Sequence, residues 1–171
     1  MPAGESFFHV YRLPLRRGRA AGPPEQLTFG THHDIDPAEL PDGRIVFTST
    51  RTGLFEEYHS PPARGLFTIG PDGGEPQLLT PTFIFDNEPE VLADGRIIFV
   101  RTDNFFDRGK VEVLLHAVHP DGSRGQTEFG LELGPSYGGR LRAYAAGSPA
   151  PLDDGRVAFV TSGGLAIGTP G

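Results

Sequence analysis

Asp36-Pro37-Ala38-Glu39-Leu40-Pro41-Asp42-Gly43-Arg44-Ile45-Val46-Phe47 decides the fold, because the stretch comes back twice. Glu88-Pro89-Glu90-Val91-Leu92-Ala93-Asp94-Gly95-Arg96-Ile97-Ile98-Phe99 matches it without a gap. So does Ser148-Pro149-Ala150-Pro151-Leu152-Asp153-Asp154-Gly155-Arg156-Val157-Ala158-Phe159. The shared frame is x-P-x-x-L-x-D-G-R-(I/V)-x-F, and its Asp-Gly pairs recur after 52 and then 60 residues. Self-similarity of this kind means a repeated supersecondary unit.

Each Asp-Gly is flanked by apolar residues, and its glycine accepts the positive φ that a tight turn requires, so each frame reads as strand, turn, strand. Ile45-Val46-Phe47, Ile97-Ile98-Phe99 and Val157-Ala158-Phe159 are apolar at consecutive positions, as expected of strands covered on both faces. A third strand follows. Phe67-Thr68-Ile69-Gly70-Pro71-Asp72-Gly73 matches His116 to Gly122 and, more loosely, Leu165 to Gly171. Glu75-Pro76-Gln77-Leu78-Leu79-Thr80 supplies a short fourth strand, with Pro24-Glu25-Gln26-Leu27-Thr28 as the same element of an earlier unit. Tyr11-Arg12-Leu13 is then that unit's third strand.

The expected fold is therefore all-β: four-stranded antiparallel blades of a β-propeller, about three and a quarter of them, within one partial propeller that belongs to a larger one. Residues 1–30 supply the third and fourth strands of a first blade, 31–81 and 82–146 are whole blades, and 147–171 is an incomplete one. The repeat is somewhat longer than the roughly 40 to 50 residues of common blades, so the excess falls in loops. Closed propellers typically need about four to eight blades, which leaves bare ends here. Either the sequence is part of a longer one, or strand Leu27-Thr28 of a partner chain completes the last blade in a homodimer.

The 24 Gly and 17 Pro among 171 residues speak against long helices, and zero cysteines exclude disulfides, thiolate zinc sites and thioether-attached haem. A net charge of −7 leaves no electrostatic footprint for nucleic acid. Arg16, Arg17 and Arg19 read as a solvated hairpin tip. Nowhere do about 18 apolar residues run together, so no membrane span is expected.

LFTIGPDGGEPQLLT over residues 66–80, followed by DNEPEVLADGRIIFVRTD over 86–103, resembles the Pro-Asp-Gly repeat of TolB-type propellers. The LPDGRIVFTSTR form over 40–51, with RIIFVRTDNFFDR and LLHAVHPDG further on, is similar to the propeller repeats of proteins like the hydrazine synthase alpha subunit. The resemblance spans residues 27 to 168. It implies a non-catalytic scaffold that binds a protein or small ligand at its channel face, WD-like in its repetition, in the bacterial periplasm or otherwise outside the cytoplasm. The competing expectation is an accessory propeller of a multidomain enzyme, of the hydrazine synthase or propeller-bearing peptidase kind, whose catalytic part lies elsewhere.

No catalytic residue and no cofactor are expected. Gly134-Pro135-Ser136-Tyr137-Gly138-Gly139 has the G-x-S-x-G form of a nucleophile elbow, yet no histidine follows it to activate the serine. His116 and His119, three apart on a strand, point to opposite faces; His116 is expected to face the core or a neighbouring blade. His32 and His33 are weak metal candidates beside Asp34 and Asp36. The more informative set is defined by repetition. Asp34 matches Asp86 and Asp36 matches Glu88, each just ahead of the innermost strand at the channel mouth, and Arg51 and Arg101 follow the second strand. These six are the candidate ligand- or partner-binding residues, with turn formation and mutual salt bridges as the plainer alternative.

Overall fold

The computed structural model describes residues 6–55, 62–102, 114–129, 147–161 and 164–171. They form four antiparallel sheets in sequence order, plus one small hairpin. The first sheet pairs β1 (Tyr11–Arg12) with β4 (Glu25–Gln26), and between them β2 (Leu15–Arg16) and β3 (Arg19–Ala20) form the hairpin. The Arg17-Gly18 tip takes φ of 52° and 73°, the two successive left-handed residues of a type I′ turn.

The second sheet runs β5 (Asp34–Glu39), β6 (Ile45–Ser49), β7 (Gly65–Gly70) and β8 (Gly73–Leu78). The third repeats it with β9 (Phe85–Val91), β10 (Ile97–Thr102), β11 (Leu114–Val118) and β12 (Gln126–Phe129). The fourth has β13 (Gly147–Pro151), β14 (Val157–Thr161) and β15 (Gly164–Gly168). β9 lies against both β5 and β13, so β5, β9 and β13 are the innermost strands of the second, third and fourth sheets.

Every x-x-L-x-D-G-R segment closes the same turn. Leu40 N donates to Arg44 O at 2.8 Å and Gly43 N to Leu40 O at 2.9 Å, and Leu92, Gly95, Arg96 and Leu152, Gly155, Arg156 repeat the pattern. The glycines at 43, 95 and 155 all take φ near +84° or +85°. Asp42 Oδ1 accepts the Arg44 amide, and the Arg44 guanidinium folds back onto the same carboxylate, holding it below the usual carboxylate range. Solvent screens such exposed pairs, so they add little to stability.

The larger stabilisation comes from three apolar joints between successive sheets. Val10, Leu27, Phe47, Phe67 and Ile69 fill the first. Leu40, Val46, Leu66, Leu79, Ile97, Phe99 and Val118 fill the second. Leu92, Ile98, Val100, Leu115, Ala117, Val157 and Phe159 fill the third. Consecutive strand residues thus serve opposite joints, Ile97 and Phe99 on one side and Ile98 and Val100 on the other, which is why the strands carry no polar alternation. At about 1.5 to 3 kcal/mol per fully buried side chain, one joint outweighs all the turn ion pairs together.

Two details depart from the sequence reading. The last third strand sits one residue away from its expected alignment: Ala166 pairs with Phe159 as Phe67 pairs with Phe47 and His116 with Phe99, so Leu165 matches Leu66 instead. The glycines that suggested the other alignment carry no side chain to fix a register. In addition, Asp34, Asp36, Asp86 and Glu88 lie on the innermost strands and not ahead of them.

Candidate functional site

The innermost strands owe their extra length to a bulge repeated at the x-P step of the frame. In β5, Ile35 pairs with Thr48 and Ala38 with Val46, leaving Asp36-Pro37 opposite the single residue Phe47. Glu88-Pro89 stands likewise opposite Phe99, and Ser148-Pro149 opposite Phe159. Two residues against one is a β-bulge, a place where proline's missing N–H does no harm to the ladder. The residue before each proline is left-handed, with φ of 52° at Asp36, 52° at Glu88 and 50° at Ser148. That conformation costs an L-residue about 1 to 2 kcal/mol, and none of the three is glycine.

An offset is visible in the hydrogen bonds. Ser148 N donates to Glu88 Oε2 at 2.6 Å, and the Glu88 backbone amide is near enough to the Asp36 carboxylate to lower its pKa. The acid of the third sheet therefore accepts the equivalent amide of the fourth, linking their innermost strands side by side. A charge-assisted hydrogen bond of about 1.5 to 3 kcal/mol is enough to hold the strained conformation.

The same residues line an open recess of about 380 Å³, walled by Asp36, Glu88, Glu90 and Ser148 with Pro37, Pro89, Pro149 and Ala150. Partial burial raises the Asp36 pKa, the nearby Glu88 charge raises it further, and the Glu88 amide and Arg64 only partly oppose this. Burial also raises Glu90. The recess thus holds carboxylates that gain from a cation or a hydrogen-bond donor, and among the described residues no cationic side chain is part of its wall.

Asp34 and Asp86 sit elsewhere. Their side chains are fully buried, and each meets an arginine: Arg51 Nε lies 3.2 Å from Asp34 Oδ1, and Arg101 Nε and Nη2 each lie 2.7 Å from Asp86. The two pairs are built differently. Arg101 is the cross-strand partner of Asp86, whereas Ser49 takes that place opposite Asp34 and donates to it at 2.6 Å, so Arg51 reaches in from two residues beyond. The Asp86 hydrogen bonds raise the Arg101 pKa against its partial burial. Removing one member of such a buried pair costs about 3 to 5 kcal/mol, because the other charge is left without a partner.

His33 packs beside the rings of Phe7 and Phe8, at 5.2 and 5.5 Å between centroids, and its Nδ1 accepts the Phe8 amide at 3.4 Å. Among the described residues, neither it nor His32 belongs to a group of three His, Cys, Asp or Glu side chains placed to hold a metal. His116 is half-buried, 5.9 Å from the Phe99 ring, and burial together with the Arg101 charge lowers its pKa. Gly134 to Gly139 lie outside the described residues.

The sequence matches no protein-family model and no curated protein. Among solved structures, a chain of the nidogen–laminin complex is similar over 91% of this chain and 50% of its own length, at 14% identity and TM-score 0.57. Hydrazine synthase from Kuenenia stuttgartiensis is similar over 96% of this chain and 24% of its own, at 18% identity and TM-score 0.56. The fold is a β-propeller. TolB from Agrobacterium tumefaciens is also similar, with 18% identity and TM-score 0.41 over 92% of this chain and 64% of that one. The propeller described here thus spans half or less of the first two chains it resembles. In propeller terms the four sheets are blades, and the bulges line the inner wall.

Repetition reveals Asp36 and Glu88, but not Glu90, whose counterparts are Ala38 and Ala150, nor Ser148, which holds the same frame position as the two acids without being one. The bulge was also missed. Its signal is an x-P step opposite the frame's Phe, with Asp at one position where a left-handed residue is tolerated.

Proposed function

We propose that this chain is a non-catalytic binding module and that its inner wall takes a basic segment of a protein partner. The observation that carries the reading is the recess itself: Asp36, Glu88 and Glu90 converge on it from two successive innermost strands, with no cationic side chain in the wall among the described residues and Arg64 only partly offsetting Asp36. Ordinary turn formation accounts for one acid at such a step. It does not require that the acids share a concavity or that the pKa values of Asp36 and Glu90 rise. Similarity to a chain from a complex between two proteins is in keeping with this reading.

The test uses a fluorescently labelled tetralysine peptide, with tetraglutamate as control, in an anisotropy titration at low salt. Asp36→Asn together with Glu88→Gln keeps an oxygen that accepts the Ser148 amide and removes both charges. Tetralysine is expected to bind the native chain, to bind the double variant at least about tenfold more weakly, and to weaken as pH falls toward the carboxylate range. The sign follows from the raised pKa values: Asp36 and Glu90 take up protons at higher pH than ordinary carboxylates and then no longer attract a cation. Equal affinity for the native chain and the double variant would remove the inner wall from consideration.

A further inference from the structure

Register places Phe67, His116 and Ala166 at one position in their blades, each directly opposite the phenylalanine of the repeated frame: Phe47, Phe99 and Phe159. In the second blade the pair is two stacked phenyl rings, 6.3 Å between centroids, turned toward the first blade in the first joint. In the third blade an imidazole replaces the second ring, 5.9 Å from Phe99 and inclined to it by 30°. Phe99 belongs to the second joint, whose other members, such as Leu66, Leu79 and Val118, are all apolar. An ionisable ring therefore stands where the repeat otherwise puts a phenyl or a methyl group.

Arg101 lies two residues beyond Phe99 on β10, hence on the same face, and its guanidinium stands 5.3 Å from the Phe99 centroid. Phe99 thus adjoins both Arg101 and His116. Arg101 and Asp86 are the charges that act on the imidazole. Both Asp86 oxygens are already bonded to Arg101, at 2.7 Å each. On β12, Thr127 pairs with His116 and its hydroxyl is 3.4 Å from Nδ1, while the adjoining Glu128 is engaged by Arg96 and Gln126. The second blade contributes Leu40, Val46, Leu66 and Leu79 to this joint, none of them ionisable. Among the described residues, a protonated His116 would meet one cation and one carboxylate that is already taken.

We propose that His116 makes the joint between the second and third blades pH-responsive: protonation of the imidazole sets a second cation beside Arg101 and weakens the packing there. The equivalent positions, Phe67 and Ala166, cannot ionise. Burial first, and the Arg101 charge second, lower the His116 pKa, against a smaller opposing pull from Asp86. Above the ordinary histidine value of 6.5 the ring is neutral in both the folded and the unfolded chain. As pH falls through that value the unfolded chain takes up the proton first, so stability is lost until the folded ring also titrates.

Proton NMR of the native chain tests this, with the His116 resonance assigned from its absence in His116→Phe, which restores the ring found at Phe67. The expected titration midpoint lies below 6.5. Urea unfolding at about pH 7.5 and about pH 5.5 is the second measurement. Between the two, the unfolding constant of the native chain should rise relative to that of His116→Phe, by at most about tenfold for each pH unit separating the folded and unfolded midpoints. Asp36 and Glu90 titrate alike in both chains and cancel in that ratio. His116→Gln, polar and uncharged, should behave as His116→Phe does, so the comparison does not hang on one variant folding. A His116 ring that titrates at or above 6.5 overturns the proposal, and so does the same pH dependence of unfolding in the native chain and the variants.

Discussion

Thr48 on β6 and Thr80 just past β8 are both buried threonines flanking β7 in one sheet, and their hydroxyls have opposite consequences. Thr80 Oγ1 accepts the buried Leu66 amide at 2.9 Å, where the strand ladder supplies no carbonyl. Thr48 Oγ1 is buried with no hydrogen-bond partner among the described residues. Leaving a buried amide unsatisfied costs about 1 to 3 kcal/mol, whereas deleting a hydroxyl that has no partner removes a desolvation cost. Thr80→Val should therefore lower stability by about 1 to 3 kcal/mol in urea titration, and Thr48→Val should be neutral or raise it by up to about 1 kcal/mol. Equal losses at both positions would show that side-chain shape, and not hydrogen bonding, selects threonine here. The Leu-Thr pair was visible in the sequence as a repeated element. Its purpose was not, because a hydroxyl that caps an adjacent strand leaves no periodicity.

Turns separate the elements, and two glycines of the same left-handed kind carry different loads. Gly43 closes the first Asp-Gly-Arg turn at φ +85° with open space where a Cβ would stand. Gly122 closes the Pro-Asp-Gly turn of the third blade at φ +81°, and a Cβ there would stand 3.0 Å from the Leu79 carbonyl of the preceding blade. Backbone strain alone makes Gly43→Ala cost about 1 to 2 kcal/mol, and Gly122→Ala should cost at least about 1 kcal/mol more because a backbone atom must move. Denaturant midpoints of the two variants decide it, and indistinguishable midpoints would mean that the turn does not bear on its neighbour. The hairpins were legible because Asp-Gly chemistry is local, and so were the joints, because three consecutive apolar residues need two covers. Local chemistry could not place Leu165, whose register is set by pairing to β14, nor show that Arg101 stands directly opposite Asp86 while Arg51 must reach from beyond Ser49. The inner-wall acids were found by counting repeats, yet their left-handed backbone arises only from the mismatch between two strands.

At the scale of the molecule the joints are in series: each blade packs on its neighbours, and the first joint shares no residue with the third. A molecule built this way gains stability nearly as a sum of nearest-neighbour interfaces, so damage at one joint should stay near it. Leu115 is fully buried in the third joint and Phe47 in the first. Leu115→Ala is expected to cost about 2 to 5 kcal/mol and Phe47→Ala about 3 to 5 kcal/mol, the range reflecting how far each cavity collapses. Hydrogen exchange followed by mass spectrometry reads where that loss falls. Leu115→Ala should speed exchange in β10, β11 and β14 while β6 keeps most of its protection, and Phe47→Ala should do the reverse, opening β1 and β6 before β14. Inner-wall links work against this independence, since Glu88 accepts the Ser148 amide from the next blade and Asp36 lies close enough to Glu88 to feel its charge. If both variants accelerate every strand alike, those links make the whole array a single cooperative unit, and the serial description fails.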